Sequence, residues 1–217
     1  MAASIGNTSS AANNVSSVSS VTWSHTVESG VSKLIVSGSY IRVTGTITGV
    51  TWNGTPLTLG LDAQNGLLQD TAHWYLDNPA SGTANIVVTY TDSSTFEPKN
   101  GAASAFGLSS GGIGASTTTS AASGAITANI TTTQDGSLIV DAVSSGNTDL
   151  TTPGAGQTQI WLGNNGAGSQ DGASSYKVVS TAGSYTMSWG GGQTWGYSIV
   201  EWKAAASTNS SNFFRFV

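Results

Sequence analysis

The chain has 217 residues, and only 8% of them are charged, against the ~25% usual for a soluble domain. Its formal net charge is −5, its Lys and Arg are few and scattered, and it has no cysteine. This excludes a basic phosphate-binding surface, disulfides, thiolate metal sites and thiol catalysis. Solubility rests on 34 Ser and 29 Thr, and proton-transfer chemistry finds few titratable groups.

Residues 1–20 are rich in Ser, Ala and Asn and read as an extended arm, turning strand-like near Val15 and Val18. The segment MAASIGNTSSAANN has neither a basic n-region nor an apolar h-region, so a Sec signal is not expected. No stretch has the ~20 apolar residues of a membrane helix. The run 21–27 alternates, with Val21, Trp23, His25 and Val27 on one face. Residues 32–45 are β-branched and apolar. Residues 49–57 predict a hairpin, because Asn53-Gly54 suits a type I′ turn with two positive φ angles. Further strands are expected in 70–79, 83–92 and 102–110, followed by a low-complexity loop over 111–124. Residues 125–133 alternate, and Asp135-Gly136 turns the chain into 137–145. Residues 156–163, 176–181, 184–190 and 194–204 complete the set.

No window has a helical period, and no internal repeat at a fixed period stands out. The expectation is an all-β chain: one antiparallel β-sandwich of jelly-roll type with about ten to twelve strands over 21–205. The arm is 1–20. The tail is 206–217, a polar spacer followed by Phe213, Phe214 and Phe216.

Laid end to end, the strands give a composite pattern. TWSHTVESGVSKLIVSGSY is followed by VTWNGTPLTL, AHWYLDNPASGTANIVVTYT, SLIVDAVSS, TPGAGQTQIW and YTMSWGGGQTWGYSIVEWKA. This resembles a jelly-roll or lectin-like β-sandwich module of bacteriophage virion structural proteins and bacterial surface proteins. The resemblance implies a virion or cell-surface module and supplies no catalytic motif.

The candidate chemistry is sparse. His25 and His73 each stand beside a Trp and read as strand histidines packed at a sheet surface. The functional alternative pairs them with Asp70 or Asp77 as a base or metal ligands. Asp62, Asp70 and Asp77, like Asp135, Asp141 and Asp149, read as turn residues; a Ca²⁺ loop is the alternative. The segment 111–124 lacks the lysine of a phosphate loop. Trp74 and Trp202 are expected in the core. Trp189 and Trp195 flank a Gly-rich hairpin tip, and Trp161 precedes a polar loop. These three are the candidates for stacking on a sugar ring, with capping of the sandwich ends as the plain alternative. Phe213, Phe214 and Phe216 are the candidate partner-binding residues, since Phe214 and Phe216 alternate as an added strand would require.

No catalytic residue, metal or cofactor is expected, nor any nucleic-acid or membrane partner. The function expected is a non-enzymatic structural protein at a virion surface, a bacteriophage capsid decoration or fibre-like component bound through its termini. Its partners are other virion proteins or copies of itself. The alternative is an extracellular carbohydrate-binding module that engages surface glycans.

Overall fold

Alternation is clearest in β2 (Ser20–Val27), where every second side chain is buried. Its inward set, Val21, Trp23, His25 and Val27, is the face read from the sequence. The computed structural model describes residues 3–12, 18–42, 46–64, 69–91, 95–146, 150–164 and 170–206. The tail Phe213, Phe214 and Phe216, together with Val15 and Asp149, lie outside the described residues.

Among the described residues sixteen strands make four antiparallel sheets, so the strand count exceeds the expected ten to twelve. The first sheet contains β1 (Ser4–Ala12), β3 (Lys33–Arg42), β6 (Thr58–Ala63), β7 (Gln69–Asp77) and β9 (Thr95–Phe106), in the order β1-β9-β3-β7-β6. The second contains β2, β4 (Ile47–Trp52), β5 (Thr55–Pro56) and β8 (Gly82–Tyr90), in the order β2-β8-β4-β5. The third contains β10 (Ser116–Ser123), β12 (Leu138–Gly146), β13 (Thr158–Gly163), β14 (Gln170–Val178) and β16 (Gln193–Trp202), in the order β10-β16-β12-β14-β13. The fourth pairs β11 (Ile126–Thr131) with β15 (Ser184–Trp189). The Asn53-Gly54 hairpin joins β4 to β5, with φ of 49° and 75° as its turn type requires.

The two halves of the chain repeat one topology, although no fixed period marks it in the sequence. β1-β9-β3-β7-β6 corresponds to β10-β16-β12-β14-β13 strand for strand. The registers agree as well. Lys33 faces Asp77 and Ala105, as Leu138 faces Val178 and Trp202. Thr58 pairs with Tyr75 and a bulge follows between Leu59 and Leu61; Thr158 pairs with Tyr176 and a bulge follows between Gln159 and Trp161. A shared bulge position is a specific structural feature, so the halves are two copies of one unit. The first unit has jelly-roll order, β1-β9-β3-β7 over β2-β8-β4-β5, and among the described residues the second keeps the β10-β16-β12-β14 sheet over the β11-β15 pair alone. The single-domain sandwich read from the sequence is thus built in four layers, as two such units stacked.

Three apolar layers separate the four sheets. Leu34, Val36 and Trp74 meet Trp52, Ile86 and Val88 in the first unit. Ile139, Tyr197 and Ile199 meet Ile126, Met187 and Trp189 in the second. Between the units, Ile35, Ala103 and Ala105 face Leu138, Val140, Val200 and Trp202. The first and third sheets are thus covered on both faces, which is why β12 is buried along its whole length.

Two segments depart from expectation for the same reason. Residues 4–12 form an edge strand on β9, where a free arm was expected. Residues 116–123, expected as loop, form an edge strand on β16. Both are small and polar because an edge strand at a sheet margin has little core to face.

Gly101 on β9 is one of the close approaches between the units. A Cβ there would lie 2.1 Å from the Trp161 ring. Gly101→Ala is expected to push that indole aside and cost about 1–3 kcal/mol, as overpacking does. A lower urea midpoint at unchanged m-value checks it.

Candidate functional site

Trp161, Trp189 and Trp195 are 3%, 4% and 4% exposed, so the surface position expected for them is corrected. The reason is topological. Residues 190–192 join β15 to β16, which belong to different sheets. This connection is an arch over the sandwich edge, and it turns both flanking indoles into the core between the third and fourth sheets. Trp161 lies between the units and donates from Nε1 to Ser37 Oγ at 2.8 Å. Trp74 and Trp202 are buried as expected; indeed all seven tryptophans are buried.

Both histidines are buried between sheets rather than packed at a surface. Around His25 the proton directions follow from the two ends of the hydrogen-bond chain, the Trp23 donor and the Glu28 acceptor. The Trp23 indole N–H can only donate, so Ser9 Oγ accepts it at 3.0 Å. The Ser9 proton then points at His25 Nδ1, 2.8 Å away. Nε2 carries the ring proton and donates to Ser104 Oγ at 3.1 Å. Ser104 and the Asn7 backbone N–H in turn bond the Glu28 carboxylate. Burial lowers the His25 pKa, against an opposing pull from Glu28, and keeps the ring neutral. The network ties edge strand β1 to edge strand β2. His73 bonds Ser198 Oγ at 2.9 Å across the inter-unit layer, and burial drives its pKa down to about 3. Neither ring meets Asp70 or Asp77 in a described hydrogen bond. Among the described residues no group of three or more His, Cys, Asp or Glu is placed to hold a metal ion.

Two acidic side chains are the centres of the remaining networks. Asp141, on β12, is fully buried in the second unit. It accepts from Ser175 N, Ser175 Oγ and Tyr197 Oη at 2.6, 2.8 and 2.7 Å, and from Gln157 Nε2 and Trp189 Nε1 at 3.1 and 3.2 Å. Burial pushes its pKa up to about 6, against the hydrogen bonds from Tyr197, Ser175 and Trp189. Asp141 thus braces a core rather than fixing a turn. Glu201, on β16, accepts from Ala115 N, Thr133 N, Gln134 N, Thr133 Oγ1 and Ser137 Oγ, all within 2.9–3.1 Å. It pins two connecting loops to the third sheet.

A buried polar cluster fills one end of the inter-unit layer. Lys99 is fully buried and donates to the Glu97 carbonyl at 2.8 Å. Burial lowers its pKa to about 8, with Glu97 and Asp171 opposing. Gln69, Ser144 and Gln170 form a hydrogen-bonded chain beside it. The cluster joins β7, β9, β12 and β14, and no charge spacing in the sequence announced it. An open cleft of about 540 Å³ lies elsewhere, lined by Gln134, Asp135, Gly136, Ser180 and Ala204 to Ala206. It sits where the chain leaves β16 toward the tail.

The outer faces have a different character. β2, β4, β5, β8, β11 and β15 contain no Asp, Glu, Lys or Arg. The exposed side of β2 is Ser20, Thr22, Ser24 and Thr26, and Thr26 meets Thr83 of β8 at 2.8 Å. On the fourth sheet Thr186 donates to Asn129 Oδ1 at 2.7 Å. These are flat arrays of hydroxyls and amides. No known family, curated protein or solved structure matches the chain.

Proposed function

We propose that the chain is a non-enzymatic structural component of a virion surface, a bacteriophage capsid decoration or fibre-like element bound through its termini. The observation that carries this reading is the division of chemistry between inside and outside. The buried carboxylates and imidazoles brace strands and loops, while the outer sheet faces bear neutral hydroxyls. Contacts made by such faces are insensitive to ionic strength, because there is no exposed charge to screen. The two units are joined by the apolar layer of Ile35, Leu138, Val200 and Trp202, and Ala204 to Ala206 line an open cleft. The carbohydrate-binding alternative relied on Trp161, Trp189 and Trp195 as stacking faces. With those indoles inside, it lacks its platform.

The test is the solution mass of the full chain and of a chain ending at Ser207, by light scattering after gel filtration. That truncation leaves intact the Leu108–Ala204 bridge and the bond from Ala205 N to Gly107 O. The expected result is a defined oligomer for the full chain and a folded monomer for the truncation. Two identical folded monomers would remove Phe213, Phe214 and Phe216 as self-assembly residues and turn the test to glycans and to docking on a foreign partner.

A further inference from the structure

Lys33 is the first residue of β3, and its side chain is 1% exposed. Directly across the ladder stands Asp77, the last residue of β7. The ammonium nitrogen donates to Asp77 Oδ1. It lies 4.3 Å from the centre of the Tyr75 ring and 5.3 Å from that of Trp202. These two rings also pack edge to face on each other. The surroundings are aromatic and dry on the lysine side, and burial lowers the Lys33 pKa while Asp77 opposes it.

Gly111 brackets the pair. Its carbonyl accepts from Lys33 Nζ at 2.8 Å, and its N–H donates to Asp77 Oδ2 at 2.7 Å. The φ of Gly111 is +102°, a conformation that glycine alone adopts easily, so the residue type lets one backbone unit turn both groups toward the pair. The equivalent register position in the second unit is held by Leu138 and Val178. An apolar pair therefore serves the fold at this position, and the jelly roll does not require an ion pair here.

We propose that Lys33 and Asp77 condense into an amide that covalently joins β3 to β7. The ammonium proton first passes to Oδ1, leaving a neutral amine beside a carboxylic acid. The Nζ lone pair then adds to Cγ. The negative charge develops on Oδ2, which faces the Gly111 N–H. Collapse of this intermediate restores the carbonyl at Oδ2, and Oδ1 leaves as water with its own proton and one from Nζ. The product keeps one N–H and one carbonyl oxygen. Gly111 O and Gly111 N–H already stand where these two atoms need partners, so the cross-link leaves no buried polar group unmet. No oxidant, metal or cofactor takes part. A bond between two strands of the same sheet suits a block that bears load at a particle surface.

The experiment is an intact mass of the full, purified wild-type chain under denaturing conditions, followed by trypsin. The expected mass is lower than the sequence mass by one water, and the peptides that hold Lys33 and Asp77 stay joined as one branched species. Trypsin does not cut at an acylated lysine, so the Lys33 cleavage is lost. Asp77→Ala and K33M are expected at their full sequence masses. A succinimide at Asp135-Gly136 would lose the same mass but leave the two peptides separate. That pattern overturns the proposal, as does a wild-type chain at its full sequence mass or a water loss that persists in Asp77→Ala. The wild-type result is decisive even where a variant fails to fold.

Discussion

Asp141→Ala is expected to lower the unfolding free energy by about 3–5 kcal/mol, because it strands several buried donors at once. Ser175 N, Tyr197 Oη, Trp189 Nε1 and Gln157 Nε2 all point at this carboxylate, and the second unit's core offers them little else. The equivalent register position in the first unit is Val36, so the fold tolerates an apolar residue there only where no donors converge. Urea denaturation reads the loss as a lower midpoint at unchanged slope. A pH series adds a second signature. The folded pKa of Asp141, about 6, lies above its ordinary value of 3.8. The folded chain therefore binds this proton more readily than the unfolded chain between those values. Ionised Asp141 weighs against folding above about pH 6, and the penalty is relieved as the pH falls through that value. Wild type is expected to gain stability from this group between about pH 7 and pH 5, and the alanine variant is not. The gap between the two then widens toward pH 5. A gap that narrows instead would show that the carboxylate is more stable as an anion in the fold.

Much of this architecture was legible in the sequence, and the reasons for what was not are specific. β2 and β8 each face one core and one solvent layer, so their alternation reads directly. Asn53-Gly54 announced its hairpin through the φ angles it permits. The strands of the third sheet are covered on both faces, and their sequences lose the two-residue alternation. The repeated topology left too little to find by eye: SKLIV at 32–36 and SLIV at 137–140 are among the few shared runs, and among the described residues the Asn53-Gly54 hairpin has no counterpart in the second unit. Trp189 and Trp195 were placed at a hairpin tip because a Gly-rich connection between two strands gives no sign of whether they share a sheet. The buried partners of Asp141, Glu201 and Lys99 are distant in sequence. Their convergence is a product of the stacking and has no local signature.

Glu201→Gln is expected to cost about 2–4 kcal/mol, although the substitution preserves shape and removes a buried charge. Oε1 accepts from Thr133 N, Gln134 N and Ser137 Oγ, and Oε2 from Ala115 N and Thr133 Oγ1. A glutamine must place its NH₂ in one of these two positions, and in either it meets at least one backbone N–H. The less costly choice puts the amide nitrogen at Oε2, where the Thr133 hydroxyl rotates to accept and only Ala115 N loses its partner. Hydrogen exchange is therefore expected to quicken first at Ala115, with Thr133 and Gln134 still protected. Even loss of protection across 132–137 and 114–116 would show instead that the charge itself holds the two loops. The pH signature runs opposite to that of Asp141. Burial alone would raise the Glu201 pKa, but the hydrogen bonds outweigh it and hold the value below its ordinary 4.5. Its contribution to stability is fully present above 4.5 and is lost as the pH falls through the lower folded value. Acid thus loosens the loops at Glu201 only after it has relieved the strain on the core at Asp141. His25 and His73 work against that relief: their folded pKa values lie below 6.5, so the unfolded chain takes up their protons first and stability falls as the pH drops below that value.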